Sequence, residues 1–207
     1  MARTCNTKVN ALTETNIICP PSYLDRLPLS AIFRQQQPLE VELGTGDGSF
    51  LVAWATQNPN HNFLGVERLL GRLRKADRKC RRAGLENVRL LRIEAGYFLE
   101  YMMPERSVAA LHVYFPDPWP KRKHRRHRLI NEHFVGVAAK ALTPDGAVYI
   151  RTDDADYFAQ ITAVFQASPD FEPTPAPSKL QSVLTDFERD FQTRGVSTFC
   201  VAYRRRA

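Results

Sequence analysis

The chain has 207 residues, 43% hydrophobic and 25% charged, so it can bury one substantial core and is neither a long disordered chain nor a collagen-like one. No apolar run approaches the ~18 residues that a membrane-spanning helix needs, and the opening MARTCNTKVNALTETN lacks the apolar stretch of a secretory signal, so a cytoplasmic protein without a membrane partner is expected. Lys and Arg total 29 against 22 Asp and Glu, a formal charge of +7 that fits a polyanionic partner wherever the cations cluster.

Residues 1–37 contain Pro20, Pro21 and Pro28 with no sustained period and read as an arm leading into one domain over 38–207. Leu39-Glu-Val-Glu-Leu43 alternates apolar and acidic residues and runs straight into Gly44-Thr-Gly-Asp-Gly48, which predicts a strand and then a glycine loop. Ser49 is placed to cap a helix carrying Phe50, Leu51, Ala53 and Trp54, and Asn58-Pro59 closes it. Phe63–Val66 begins a second round that ends in Glu67, followed by a helix with Leu69, Leu73, Ala76, Cys80 and Ala83 on one face and Gly84 as its stop. A third strand, Val88–Ile93, ends in Glu94-Ala95, and a fourth, Ala109–Phe115, ends in Pro116-Asp117-Pro118. Ile130, Phe134, Val137 and Ala141 predict a helix over 129–142, Pro144-Asp-Gly146 a turn, and Ala147–Ile150 a fifth strand ending near Thr152-Asp153. Phe158, Ile161 and Phe165 mark a further helix, Pro169 to Pro177 a connection, and Thr198–Tyr203 a late antiparallel strand at or near an edge. Strands alternating with helices predict an α/β, Rossmann-like fold: a mostly parallel sheet covered on both faces, with ligands outside the carboxyl ends of its strands.

Gly44, Gly46 and Gly48 let a backbone turn sharply and approach a ligand at the head of a helix. The dinucleotide fingerprint needs glycine one place later, where Ser49 stands, so the spacing is that of a G-x-G-x-G loop. Glu67, at the end of the next strand, is placed to accept hydrogen bonds from a ribose. Glu42 is read either as a solvated strand residue or as the partner of a cationic ligand group. Asp117, held between two prolines, sits in a stiff loop suited to orienting a substrate. The run Lys121-Arg-Lys-His-Arg-Arg-His-Arg128 adjoins that loop and makes nucleic-acid phosphate the first candidate partner, through Arg122, Arg125 and Arg126 among others. A second group, Arg72, Lys75, Lys79 and Arg82, shares one face of its predicted helix and is open to a solubilising or an RNA-binding reading. Cys5, Cys19, Cys80 and Cys200 form no CxxC pair, and His124 and His127 lack companion ligands, so neither disulfides nor a metal site is expected.

The order of these parts, with Pro-Asp-Pro-Trp-Pro-Lys and its basic run after the fourth strand, Thr152-Asp153 after the fifth and Thr185-Asp-Phe-Glu188 near the end, resembles the bacterial tRNA (guanine-N7)-methyltransferase family over most of residues 39–204. The resemblance implies a class I methyltransferase fold, S-adenosylmethionine as methyl donor and N7 of the tRNA variable-loop guanosine at position 46 as acceptor. It implies that Glu42, Glu67, Glu94 with Ala95, and Asp117 serve the cofactor site. Lys121, Asp153, Thr185, Asp186, Phe187 and Glu188 are implied to serve the tRNA site, and Asp117 to be the catalytic residue. Glu94 departs from the commoner Asp or Asn at its position, and the N-terminal region matches poorly. A methyltransferase for another RNA site or for protein, and a non-catalytic RNA-binding protein, are the alternatives, and either a monomer or a homodimer is compatible.

Overall fold

The apolar segments assemble into one eight-stranded sheet in a computed structural model, which describes residues 15–207; Cys5 and the rest of the arm before residue 15 lie outside the described residues. The strands are β1 (Ile17–Ile18), β2 (Leu39–Leu43), β3 (Asn62–Val66), β4 (Val88–Leu91), β5 (Val108–Tyr114), β6 (Leu142–Thr152), β7 (Phe171–Pro173) and β8 (Phe199–Arg205). Their spatial order is β1-β4-β3-β2-β5-β6-β8-β7. Pairings from β1 through β6 are parallel, and β8 runs antiparallel to both β6 and β7. After β4 the chain returns to the other side of β2 to lay down β5. The carboxyl ends of β2 and β5 therefore flank the point where strand order reverses, the usual crevice of such sheets.

The helices are α1 (Leu29–Ile32), α2 (Ser49–Gln57), α3 (Leu70–Arg82), α4 (Ala95–Tyr97), α5 (Glu132–Ala141), α6 (Ala155–Gln166), α7 (Ser178–Ser182) and α8 (Asp186–Thr193). Side chains alternate across the sheet and divide the core in two. Leu64, Val66, Leu91, Val113, Val148 and Ile150 belong to the layer that holds Phe33, the Phe98–Met103 segment, α5 and α6, whereas Phe63, Val88, Leu90 and Tyr114 belong to the layer of α2, α3 and α7. The second layer closes tightly at Gly48, where a Cβ would lie 2.7 Å from that of Ala76 on α3 and where φ is +78°. Gly48 is thus demanded by helix packing as well as by its left-handed backbone.

Several local expectations are corrected by packing. The acidic positions of β2 are not solvated: Glu40 and Glu42 are both buried, because the strand lies mid-sheet with both faces covered. Ser49 is the first residue of α2 and Gly48 its N-cap, which makes no side-chain capping bond. On α3 the buried residues are Leu73, Ala76, Asp77 and Cys80, while Leu69 and Ala83 at the ends of the expected stripe are exposed. The Pro169–Pro177 connection contains the edge strand β7. The turn at Pro144-Asp-Gly146 interrupts the β5–β6 ladder, which pairs Val108 with Leu142 and resumes with Ala110 opposite Ala147; Asp145 takes φ +62° in that bulge.

Candidate active site

Two connected cavities open at the strand-order reversal, sharing Gly44, Arg72, Tyr114 and Phe115 in their walls. One, of about 300 Å³, is lined by Glu67, Arg68, Glu94, Ala95, Asp117, Trp119 and His127. The other, of about 350 Å³, is lined by Glu42, Thr45, Gly46, Asp47, Thr185, Asp186 and Phe187. Residues far apart in the chain thus meet in one cleft: the glycine loop, the strand-end acids, the Pro-Asp-Pro loop and the start of α8.

The glycine loop hangs from β3, with the amides of Gly44 and Thr45 each 2.9 Å from the Val66 carbonyl. Gly44 and Gly46 adopt φ +83° and +57°, and a Cβ at Gly44 would meet nothing, which leaves open space for a ligand against the backbone. Glu67 orients this loop: its carboxylate accepts from the amides of Gly46 at 3.1 Å and Leu69 at 2.8 Å. Glu94 is held alike by the amides of Gly96 and Tyr97 at the start of α4. Both acids keep lone pairs for hydroxyl or amino groups of a ligand. Glu42 lies deeper, hydrogen-bonded by Thr45, and burial pushes its carboxyl up to about 8 against that bond, with the charge of Asp47 adding to the rise. A cationic group placed beside it would restore its ionised form. The acceptor carboxylates, the open glycine backbone and this uncharged acid fit a cationic, hydroxyl-bearing cofactor such as S-adenosylmethionine.

Asp117 lines the same cavity as Glu67 and Glu94, its side chain 74% exposed and its Oδ2 3.9 Å from a nitrogen of Arg68. Phe115 and Trp119, on either side of the Pro-Asp-Pro segment, take φ +52° and +44°. Non-glycine residues in this region cost free energy and persist only where the surroundings hold them. Arg128 supplies much of that hold. Its buried guanidinium donates to the Pro118 carbonyl at 2.7 Å, to Gln160 at 2.9 Å and to Asp156 at 2.6 Å, and lies 4.7 Å from the Tyr157 ring centre. The last cation of the basic run is therefore a structural pin of the loop. After Lys121 comes a short 3-10 helix, Arg122–His127, in which Arg125 pairs with Asp156 at 2.9 Å; Lys121, Arg122 and Arg126 are exposed.

The Thr185–Glu188 motif divides in two. Thr185 and Glu188 are buried and form a capping box at the head of α8. Glu188 also pairs with Arg151 at 2.7 Å, and Arg151 donates to the carbonyls of Val183 and Leu180. Asp186 and Phe187 instead face the cleft, with Phe187 50% exposed. Among the expected site residues, Gly48, Lys121, Arg122, Arg125, Arg126, Asp153 and Glu188 lie outside the walls of the two cavities, and Asp153 stands exposed just past β6.

The sequence reading also missed residues. Tyr114 contributes to both cavities, and Arg151, its register partner on β6, stacks 4.4 Å from its ring centre. Behind Tyr114 runs a buried chain: His112 lies 2.8 Å from its hydroxyl and 2.7 Å from Glu40, which also accepts from Trp54 at 2.7 Å and contacts His61 at 2.6 Å. Burial opposes ionisation of Glu40, but the bonds from His112, Trp54 and His61 prevail and hold its carboxyl below the ordinary range. The sequence signal for both features is a charged residue inside an apolar strand run.

Comparisons with known proteins bear on the fold and the family. The fold is shared with the 16S rRNA methyltransferase KamB, at a TM-score of 0.62 and 15% identity over 84% of this chain and 90% of that one. A family model described as a putative methyltransferase matches residues 36–201. A tRNA (guanine-N(7)-)-methyltransferase of Syntrophotalea carbinolica is 34% identical over 94% of this chain and 83% of its own length. One of Thermotoga maritima is 32% identical over 89% of this chain and 60% of its own length. With a methyltransferase sheet, a glycine loop facing strand-end acids, and matches that span the whole cleft, the chain belongs to the tRNA (guanine-N(7)-)-methyltransferase family.

Proposed function

We propose that this protein transfers a methyl group from S-adenosylmethionine to N7 of the variable-loop guanosine at position 46 of tRNA. The observation that carries the reading is the meeting of Glu67, Glu94 and Asp117 around one cavity beside the glycine loop, with exposed cations at its rim. The names of the curated relatives support guanine N7 of tRNA as the acceptor. The cofactor supplies an electrophilic methyl on a sulfonium.

Guanine N7 carries a lone pair and no proton, so the chain's task is alignment and charge stabilisation rather than base catalysis. Glu67 and Glu94 hold the cofactor's hydroxyl-bearing end, and Glu42 faces its cationic end. Asp117 accepts from the N1 and N2 hydrogens of the guanine and favours the positive charge that the ring acquires. Trp119 lines one cavity and Phe187 the other, each an apolar surface for a base drawn out of its stack. Lys121, Arg122 and Arg126 meet phosphates, while Asp153 lies at the outer rim.

The test is incubation with unmodified tRNA and labelled cofactor, followed by nucleoside analysis. Label in 7-methylguanosine at the variable loop is expected. Label in another nucleoside, in protein or nowhere overturns the reading.

Glu42 gives a second measurement. Its carboxyl is mostly protonated at pH 7, so binding of a cationic cofactor is expected to release a proton, and affinity to rise with pH until about 8 and then level. The cofactor's own amino group titrates near this range. The decisive quantity is therefore the difference in calorimetric proton release between wild type and Glu42→Gln, and no difference overturns the assignment. The sign for folding is opposite. Because the unfolded carboxyl ionises at its ordinary value of 4.5 and the folded one only at about 8, Glu42 makes the free protein less stable as pH rises through that window.

A further inference from the structure

The outward face of α3 is a surface that the site above leaves unused. Of its cations, Lys79 is committed to the glycine loop, 2.7 Å from Asp47 and 2.6 Å from the Ser49 hydroxyl, and Arg81 pairs with Asp77 at 3.3 Å. Arg72, Lys75, Arg78 and Arg82 are exposed, and none has a carboxylate within ion-pair distance among the described residues. Unpaired cations close together on one helix repel one another and are stabilised by an anionic partner.

Their placement selects the partner. The helix begins at the cleft, where Arg68 approaches Asp117 and Arg72 lines both cavities. At a rise of ~1.5 Å per residue the cations from Arg72 to Arg82 extend roughly 15 Å away from it. They end at an open groove of about 520 Å³ between α2, α3 and α8, lined by Lys79, Arg82 and Arg189. Asp186, the acid in that groove, is neutralised by Lys79 at 3.6 Å and by Arg189. The basic run at 121–127 reaches the cavity of Asp117 through His127, and its exposed cations lie beyond that wall, so cations stand near the cleft both on α3 and on the 121–127 segment.

We propose that α3, through Lys75, Arg78 and Arg82, is a second phosphate-binding wall that holds the body of the same RNA whose guanine enters the cleft. The proposal rests on the tRNA reading and adds a second contact surface to it. A nucleic acid held from two sides brings its target base to the cleft in one orientation, which a single basic loop does not enforce.

The experiment is binding of an unmodified tRNA transcript by fluorescence anisotropy between about 50 and 200 mM salt, together with methyl-transfer kinetics. The triple variant Lys75→Gln, Arg78→Gln and Arg82→Gln is expected to bind about tenfold or more weakly, with a log K against log salt slope shallower by about 2 to 3 for three lost phosphate contacts. KM for tRNA should rise while kcat at saturating tRNA and cofactor affinity by calorimetry stay at wild-type values. The charge-preserving variant Lys75→Arg, Arg78→Lys and Arg82→Lys should bind as wild type, which a packing role would not predict. Wild-type affinity and slope in the Gln variant, with tRNA methylation by the wild type intact, overturn the α3 assignment alone. Absence of tRNA binding and methylation by the wild type overturns the tRNA reading and this proposal together.

Discussion

Asp117→Ala is expected to slow methyl transfer by on the order of 10² or more in single-turnover experiments with saturating tRNA and cofactor, the range found when one preorganised electrostatic contact is removed from an active site. In the free protein the carboxylate is exposed, and Arg68 at 3.9 Å is its one cation within ion-pair distance among the described residues. Water screens such a charge until substrate covers it, so its effect is felt in the assembled complex. The backbone around it is already committed, with left-handed residues at Phe115 and Trp119 and Arg128 bonded to Pro118. Substitution therefore removes a charge without loosening the loop. Asp117→Asn keeps one acceptor and loses the charge; it should also be slower than wild type, and Asp117→Ala at least as slow. Cofactor affinity is measured in parallel, because Asp117 shares a cavity with Glu67 and Glu94. A rate within about threefold of wild type for the Ala variant would assign Asp117 to loop structure only.

Arg151→Met should destabilise the protein by about 3–5 kcal/mol, the usual consequence of stripping one partner from a buried ion pair. Arg151 and Glu188 are almost fully buried, and the guanidinium also satisfies the carbonyls of Val183 and Leu180. Its removal leaves the Glu188 carboxylate with the Thr185 amide alone among the described residues and cuts the tie between β6 and the α7–α8 segment. Because Asp186 and Phe187 belong to that segment, the cleft loses one wall. Urea unfolding measures the loss, and hydrogen exchange should quicken first over residues 178–193. Arg151→Met combined with Glu188→Leu is expected to recover much of the stability, since apolar replacement of both partners removes the uncompensated charge. A single variant within about 0.5 kcal/mol of wild type would mean that solvent reaches this pair and that the segment is held by its apolar contacts.

The parts of this protein that were legible in its sequence are those whose physics is local. A strand followed by Gly-Thr-Gly-Asp-Gly, an acid at the end of the next strand, and an acid between two prolines each need only neighbours a few residues away to take their form. Helical spacing placed α2, α3 and α5 within a few residues of their observed ends and marked α6 by its apolar stripe, and the alternation of strands and helices was enough for a largely parallel sheet. What tertiary structure alone decided is the fate of the charged residues. Glu40 and His112 are 72 positions apart and Arg151 and Glu188 are 37 apart, so neither pair leaves a periodic trace. An acid on an alternating strand reads as solvent-facing until a second layer of helices covers it, and β2 is covered on both faces. Likewise a run of eight basic or histidine residues reads as one surface, yet its last member, Arg128, is buried as the pin of the Pro-Asp-Pro loop while Lys121, Arg122, Lys123 and Arg126 stay exposed. Sequence specifies which groups are available for charge and hydrogen bonding, but burial and partnership are properties of chain segments brought together over long separations, and those determine whether a given charge binds a ligand or holds the fold.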